Sequence, residues 1–93
     1  MMDKSYYISK MQIYGDKVTE KRLVEYLKEN YANVEILKSY VEDTTKLIIE
    51  LKFECENGVK TECSIASLLH HLVSNQFYVY NVHTEKLEKR IKT

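Results

Sequence analysis

The chain has 93 residues, 44% of them hydrophobic and 30% charged, which leaves room for a single domain over residues 1–93 with one modest core. Its 14 basic residues balance its 14 acidic ones, which excludes a strong overall field toward nucleic acid or an anionic membrane. No apolar run approaches the ~20 residues of a membrane span. With two cysteines, a reduced, cytoplasmic protein is expected.

The first predicted strand covers residues 5–14. One of its faces is expected to point to the core through Tyr7, Met11 and Ile13. The opposite face carries the even-numbered residues, namely Tyr6, Ile8, Lys10, Gln12 and Tyr14. Gly15 and Asp16 then predict a turn.

A helix is predicted over residues 20–31. Thr19 is the expected N-cap, because its hydroxyl can accept a hydrogen bond from a free N–H of the first turn. Val18 and Leu23 then occupy the positions of a hydrophobic staple. A single apolar stripe follows at helical spacing, formed by Leu23, Val24, Leu27 and Tyr31.

Two further strands are predicted over residues 34–41 and 47–55, with a turn at 42–44 between them. The later strand is the clearest element of the chain, because polar and apolar residues alternate regularly along it. Its apolar positions are Leu47, Ile49, Leu51, Phe53 and Cys55. This pattern is typical of a half-buried strand.

Asn57 and Gly58 predict a tight hairpin after the third strand. A three-residue loop pairs Cys55 with Val59 and brings opposite charges together on the other face, so an additional short strand is expected over residues 59–63. Cys55 and Cys63 would then share one face roughly 13 Å apart. That separation is too large for a disulfide.

A second helix is predicted from Ser64 to Asn75, with Ser64 as its N-cap and Asn75 as its left-handed C′ residue. Its apolar stripe consists of Ile65, Leu68, Leu69, Leu72 and Val73. Residues 77–83 form the last predicted strand. Residues 84–93 are expected to be a basic C-terminal tail or a short helix.

The predicted order is β-α-β-β-(β)-α-β. It indicates an α+β domain in which two helices pack on one face of a mixed or antiparallel sheet of four to five strands. The order resembles the ferredoxin-like arrangement, or a variant of it with an additional short strand. In that arrangement the first strand lies beside the last.

Catalytic and metal-binding motifs are absent from the sequence, which contains no GxGxxG, P-loop, GxSxG or HExxH pattern. His70 and His71 are adjacent on a predicted helix, where they point ~100° apart and cannot chelate one ion. We therefore expect a protein without enzymatic activity, cofactor or metal.

The candidate binding surface is the sheet face that points away from the helices. Its expected residues are Tyr6, Ile8, Ile48, Tyr78, Tyr80 and Val82, merged into one patch. Tyrosine is favoured at interfaces because it combines a large ring with a polar tip. We therefore expect a small binding protein that associates with another protein or with itself as a homodimer. Inhibitors, immunity factors and accessory subunits, including those of phages and mobile elements, are often domains of this size.

An alternative hypothesis is an RNA- or DNA-binding module. Sheet aromatics can stack on bases, and the basic residues Lys86, Lys89, Arg90 and Lys92 could contact phosphates. The balanced charge and the acidic Glu50 and Glu54 on the third strand favour protein association instead. A more ordinary interpretation is that the tyrosines simply cap a small sheet with their hydroxyls in water.

Overall fold

A computed structural model describes residues 4–56 and 61–87 of the chain, and the side chains of residues 6–54 and 65–86. Its elements are, in chain order, β1 (Lys4–Tyr14), α1 (Lys17–Asn30), β2 (Val34–Glu42), β3 (Lys46–Glu56), α2 (Thr61–Ser74) and β4 (Tyr78–Leu87). Two helices packed on a four-stranded sheet confirm the predicted α+β class. Within these ranges, neither helix is long and apolar enough to cross a membrane.

The four strands form one sheet in the order β2-β3-β1-β4, and each neighbouring pair is antiparallel. β1 therefore lies in the middle, beside the last strand, which fits the ferredoxin-like variant predicted. The prediction of an additional short strand over 59–63 is wrong for residues 61–63, because Thr61–Cys63 belong to α2. α2 consequently begins before the predicted cap Ser64, while the remaining residues of that hairpin, 57–60, lie outside the described ranges.

The core lies between the helices and the odd-numbered residues of β1 and β3. Its buried members are Met11, Ile13, Leu23, Leu27, Leu47, Ile49, Leu51, Phe53, Leu68, Leu72 and Phe77. The predicted inward positions of these strands and both helix stripes are thus largely confirmed. Two positions of the helix stripes are exceptions: Val73 is exposed at the edge of the α2 stripe, and Val24 of α1 is half-buried and outside the core cluster.

α1 begins one turn earlier than the sequence predicted. The Asp16 carboxylate, not the Thr19 hydroxyl, is the N-cap and accepts hydrogen bonds from the backbone N–H groups of Val18 (3.0 Å) and Thr19 (3.1 Å). The bond from Thr19 is the main reason why the pKa of Asp16 is lowered. Val18 is exposed, so the predicted staple with Leu23 does not form.

Gly15 joins β1 to α1 at a close approach. Its N–H donates to the carbonyl of Thr45 at 2.7 Å, which ties the turn to the β2–β3 hairpin. A Cβ at this position would lie 2.5 Å from Cβ of Thr19. Glycine therefore fits here because there is no room for a side chain.

The β2–β3 hairpin turns one residue later than predicted, since Glu42 still pairs with Lys46 in the ladder. Asp43 and Thr44 both have positive φ, at 50° and 63°. The left-handed conformation is unfavourable for a β-branched residue such as Thr44.

The end of α2 also differs from the prediction. Gln76, and not Asn75, has a positive φ of 67°. The Asn75 side chain instead donates from Nδ2 to the His71 carbonyl at 2.8 Å, and the Asn75 carbonyl accepts from Arg22 at 3.2 Å. These bonds fix the chain before Phe77 enters the core.

β4 extends beyond its predicted end. Residues 84–87 continue the strand as far as Leu87, so a tail or short helix beginning at Thr84 is wrong for them. The Thr84 hydroxyl donates to the buried Ser9 hydroxyl at 3.0 Å, which anchors this part of β4 to β1. Of the predicted basic tail, Lys86 lies in β4, and residues 88–93 lie outside the described ranges.

Candidate binding surface on the outer sheet face

The outer face of the sheet is the side that the helices do not cover. The even-numbered residues of β1 and β3 point to it, because the odd-numbered ones are in the core. Residues directly opposite one another in an antiparallel pair share a face, so the ladder registers show which residues of β2 and β4 join them.

A cluster of three tyrosines, here called the tyrosine patch, lies at one end of this face. Tyr14 is directly opposite Tyr78, and the rings of Tyr14 and Tyr80 are stacked with centroids 4.4 Å apart and planes at 30°. Tyr14 is 61% exposed, Tyr78 is 72% exposed and Tyr80 is 41% exposed. The patch is therefore a large aromatic surface whose rings are partly fixed by one another.

Tyr14 was not among the predicted binding residues, although the alternation of the first strand places it on the correct face. The sequence did not show which residue of β4 lies beside Tyr14. Only the register, which pairs Tyr14 with Tyr78, shows that the three rings form one group.

Val82 does not belong to the outer face. It lies directly opposite the buried Met11 and packs against the core. The β1–β4 register shifts between Gln12 and Ile13, where a bulge places an extra residue in β4. Because of this shift, the simple alternation that grouped Tyr78, Tyr80 and Val82 fails after Tyr80.

Ile48 points to the outer face as predicted, but it is only 4% exposed. Its cross-strand neighbours are Tyr40 on β2 and Gln12 on β1, and both are half-buried around it. Ile48 is consequently buried among its neighbours on the outer face, and its side chain is not accessible to a partner.

Tyr6 and Ile8 occupy the other end of the outer face. Tyr6 is eight residues from Tyr14 along β1, or roughly 26 Å at 3.3 Å per residue. The Lys52 ammonium lies 4.7 Å from the centre of the Tyr6 ring, and Ile8 lies between Lys52 and Glu85 in the ladders. The two ends therefore do not merge into one patch, as the sequence had suggested.

The middle of the outer face carries charges of alternating sign. Glu50 lies between Lys10 and Lys38, and Lys52 lies opposite Glu35. Opposite charges in facing positions stabilise a sheet and cancel its field. Over the described side chains of residues 6–54 and 65–86, this face therefore lacks the continuous positive stripe that would follow a phosphate backbone.

Among the described side chains, no three His, Cys, Asp or Glu residues lie close enough to hold a metal ion. His71 has a structural partner instead, because its Nδ1 lies 2.7 Å from the Tyr31 hydroxyl. That bond connects the end of α1 to α2. Burial is the largest cause that raises the pKa of Tyr31 to about 12, followed by its neighbour Tyr26.

A second aromatic group on the helix side was missed by the sequence prediction. The Arg22 guanidinium lies over the Phe77 ring at 4.6 Å from its centre, and Tyr26 packs beside Phe77. Arg22 and Tyr26 each share a hydrogen bond with Asn75, so this group connects α1 to the segment that follows α2. Arg22 and Tyr26 lie about fifty residues before Asn75 and Phe77, so no local sequence pattern predicts these contacts.

No protein-family model matches this chain, and neither a curated protein nor a solved structure matches it.

Proposed function

We propose that this chain is a small non-enzymatic binding protein that acts by protein–protein association through the tyrosine patch. The observation that carries the proposal is the exposed, stacked pair of Tyr14 and Tyr80 beside Tyr78. Association without chemistry would suit an inhibitor, an immunity factor or an accessory subunit.

The size of the patch supports a role as the centre of an interface. Aromatic side chains bury about 150–250 Å² each, so the exposed fractions of these three amount to roughly 350 Å². A stable interface needs about 800 Å² per partner. The patch is thus nearly half of such a surface, and the neighbouring outer face could supply the remainder.

The rigidity of the patch supports the same role. Tyrosine loses little side-chain freedom on binding, and the stack between Tyr14 and Tyr80 already restricts both rings. The expected partner is a protein surface with an apolar pocket for the rings and polar groups at its rim for the hydroxyls. The alternating charges of Lys10, Glu50 and Lys38 favour this partner over a nucleic acid.

A paired substitution in the patch tests the proposal. The chain is immobilised, its partner is captured from the native host, identified by mass spectrometry, purified and titrated. Tyr78→Ala combined with Tyr80→Ala should weaken this affinity about 30-fold, which corresponds to a hot spot of ~2 kcal/mol. Tyr6→Ala, at the other end of the outer face, should leave it nearly unchanged.

Folding should survive the double substitution, because Tyr78 and Tyr80 are outside the core. Circular dichroism and thermal unfolding of the variant check this. Unchanged affinity in the double variant, or a captured partner that is a nucleic acid, would contradict the proposed function.

A further inference from the structure

β4 forms one edge of the sheet, and within the described ranges no strand pairs with its free side. About half of the backbone N–H and C=O groups of an edge strand point away from its only neighbour, where they can pair with another strand. The chain contains no proline, so every residue of β4 keeps its N–H. This edge is therefore able to bind an extended segment.

β4 is better suited to pairing than β2, the other edge. A register shift interrupts β2 between Ile36 and Lys38, near its middle. The bulge in β4 lies beside Tyr80, near its start, and the ladder from Asn81 to Leu87 is unbroken. A regular segment of this length matches the usual length of a strand in a sheet.

The segment from Asn81 to Leu87 is complementary to the same segment of a second copy of the chain. His83 and Glu85 lie on either side of Thr84 on the outer face, exposed, with His83 Nε2 2.9 Å from Glu85 Oε1. If two copies pair antiparallel with Thr84 opposite Thr84, each His83 lies opposite Glu85 of the second copy. Two donor–acceptor pairs can then form across the junction in place of the bond within each chain.

Neighbouring registers lack this complementarity. Centring the pair on His83 places two histidines opposite each other, and centring it on Glu85 places two carboxylates opposite each other, which is destabilising. On the helix-facing side, the Thr84 register sets Val82 opposite Lys86, whose alkyl stem can cover it. Thr84 is consequently the favoured centre.

We propose that the free edge of β4 pairs with the same edge of a second copy of this chain, antiparallel about Thr84. The two four-stranded sheets become one sheet of eight strands with a continuous outer face. This dimer uses the strand edge and leaves the tyrosine patch uncovered.

The dimer would give the proposed function two binding sites, and this inference of a two-site protein rests on the proposed function. Tyr78 is six residues, or roughly 20 Å, from Thr84 along β4. The two tyrosine patches of the dimer then lie roughly 40 Å apart on the same face. A partner with two matching sites would gain from both patches at once.

Charge substitutions at the junction provide the test. Sedimentation velocity over a concentration series should show a species of twice the 11.1 kDa chain. His83→Glu places a carboxylate opposite Glu85 of the second copy at both ends of the junction. It should therefore weaken dimerisation about 10-fold or more. Adding Glu85→Lys to this variant should restore the dimer.

The fold should tolerate these changes, because both side chains are exposed and Lys10 lies opposite His83 on β1. Circular dichroism of each variant checks this. Tyr78→Ala with Tyr80→Ala should leave the dimer intact while it weakens the binding of another protein, so the two proposals fail separately. A monomeric wild-type chain, or a dimer that is indifferent to His83→Glu, would overturn the β4 pairing. So would a dimer lost only in the tyrosine variant.

Discussion

Val82 lies directly opposite Met11 and packs on the helix side of the sheet, whereas Tyr80, two residues earlier, stacks on Tyr14 on the opposite side. Residues two apart in a regular strand share a face. The bulge in β4 reverses this relation, so Val82 faces the core although Tyr80 belongs to the tyrosine patch. Its effect should be measurable by substitution.

A carboxylate should distinguish the two faces after the bulge. Val82→Asp places a charge against the core, and we expect it to lower the free energy of unfolding by about 3 kcal/mol. Asn81→Asp, on the exposed side one residue earlier, should change it by less than about 0.5 kcal/mol. Urea denaturation of both variants measures this; equal effects would contradict the assigned register.

The close approach at Gly15 predicts a cost for the smallest side chain. Gly15→Ala brings a methyl group within 2.5 Å of the Thr19 side chain, so either the turn or α1 has to shift. We expect a loss of roughly 1–3 kcal/mol in the free energy of unfolding. In a Thr19→Gly background the same substitution should cost little, and a full cost there would assign the effect to the backbone of Gly15.

The left-handed Thr44 predicts a stabilising substitution. Thr44→Gly relieves a backbone conformation that costs a residue with a side chain roughly 1–2 kcal/mol. Glycine also gains freedom in the unfolded chain, so the expected net gain is about 0.5 kcal/mol. Thr45→Gly, next to it but without a positive φ, should destabilise the protein. Thermal unfolding that shows both variants destabilised would contradict the prediction.

Tyr31 should ionise at a higher pH than a free tyrosine side chain. Its pKa rises from 10.0 to about 12, so the folded state favours the neutral phenol. The resulting stabilisation is complete below pH 10 and is lost as the pH rises from 10 through 12. In an absorbance titration of tyrosinate, Tyr31→Phe should remove the ionisation near pH 12. Removal of an ionisation near pH 10 instead would show that Tyr31 is not shielded.

Local patterns predicted most of the fold because burial on one side of an element repeats with the period of that element. The alternation of Leu47, Ile49 and Leu51 in β3, and the spacing of Leu23 and Leu27 in α1, were sufficient to orient both elements. The helix starts were less certain because several residues near each start can act as caps, as Asp16 and Thr19 show.

The candidate site could be predicted only in part because it depends on registers between strands distant in sequence. Tyr78 and Tyr80 were assigned to the correct face, but the bulge that removes Val82 has no local signature. Burial of Ile48 follows from Tyr40 and Gln12, on two different strands. Such contacts arise from the assembled sheet, and no single segment contains them.

The central position of β1 has a consequence for how the chain folds. Its neighbours lie far along the sequence: Tyr14 pairs with Lys46 on β3 and with Tyr78 on β4. Most of the sheet therefore forms through long loop closures, which lowers the folding rate compared with a fold built from local hairpins. During synthesis, β3 becomes available to β1 before β4 does, so a nascent chain exposes the β4-facing edge of β1 until Tyr78–Leu87 have been made.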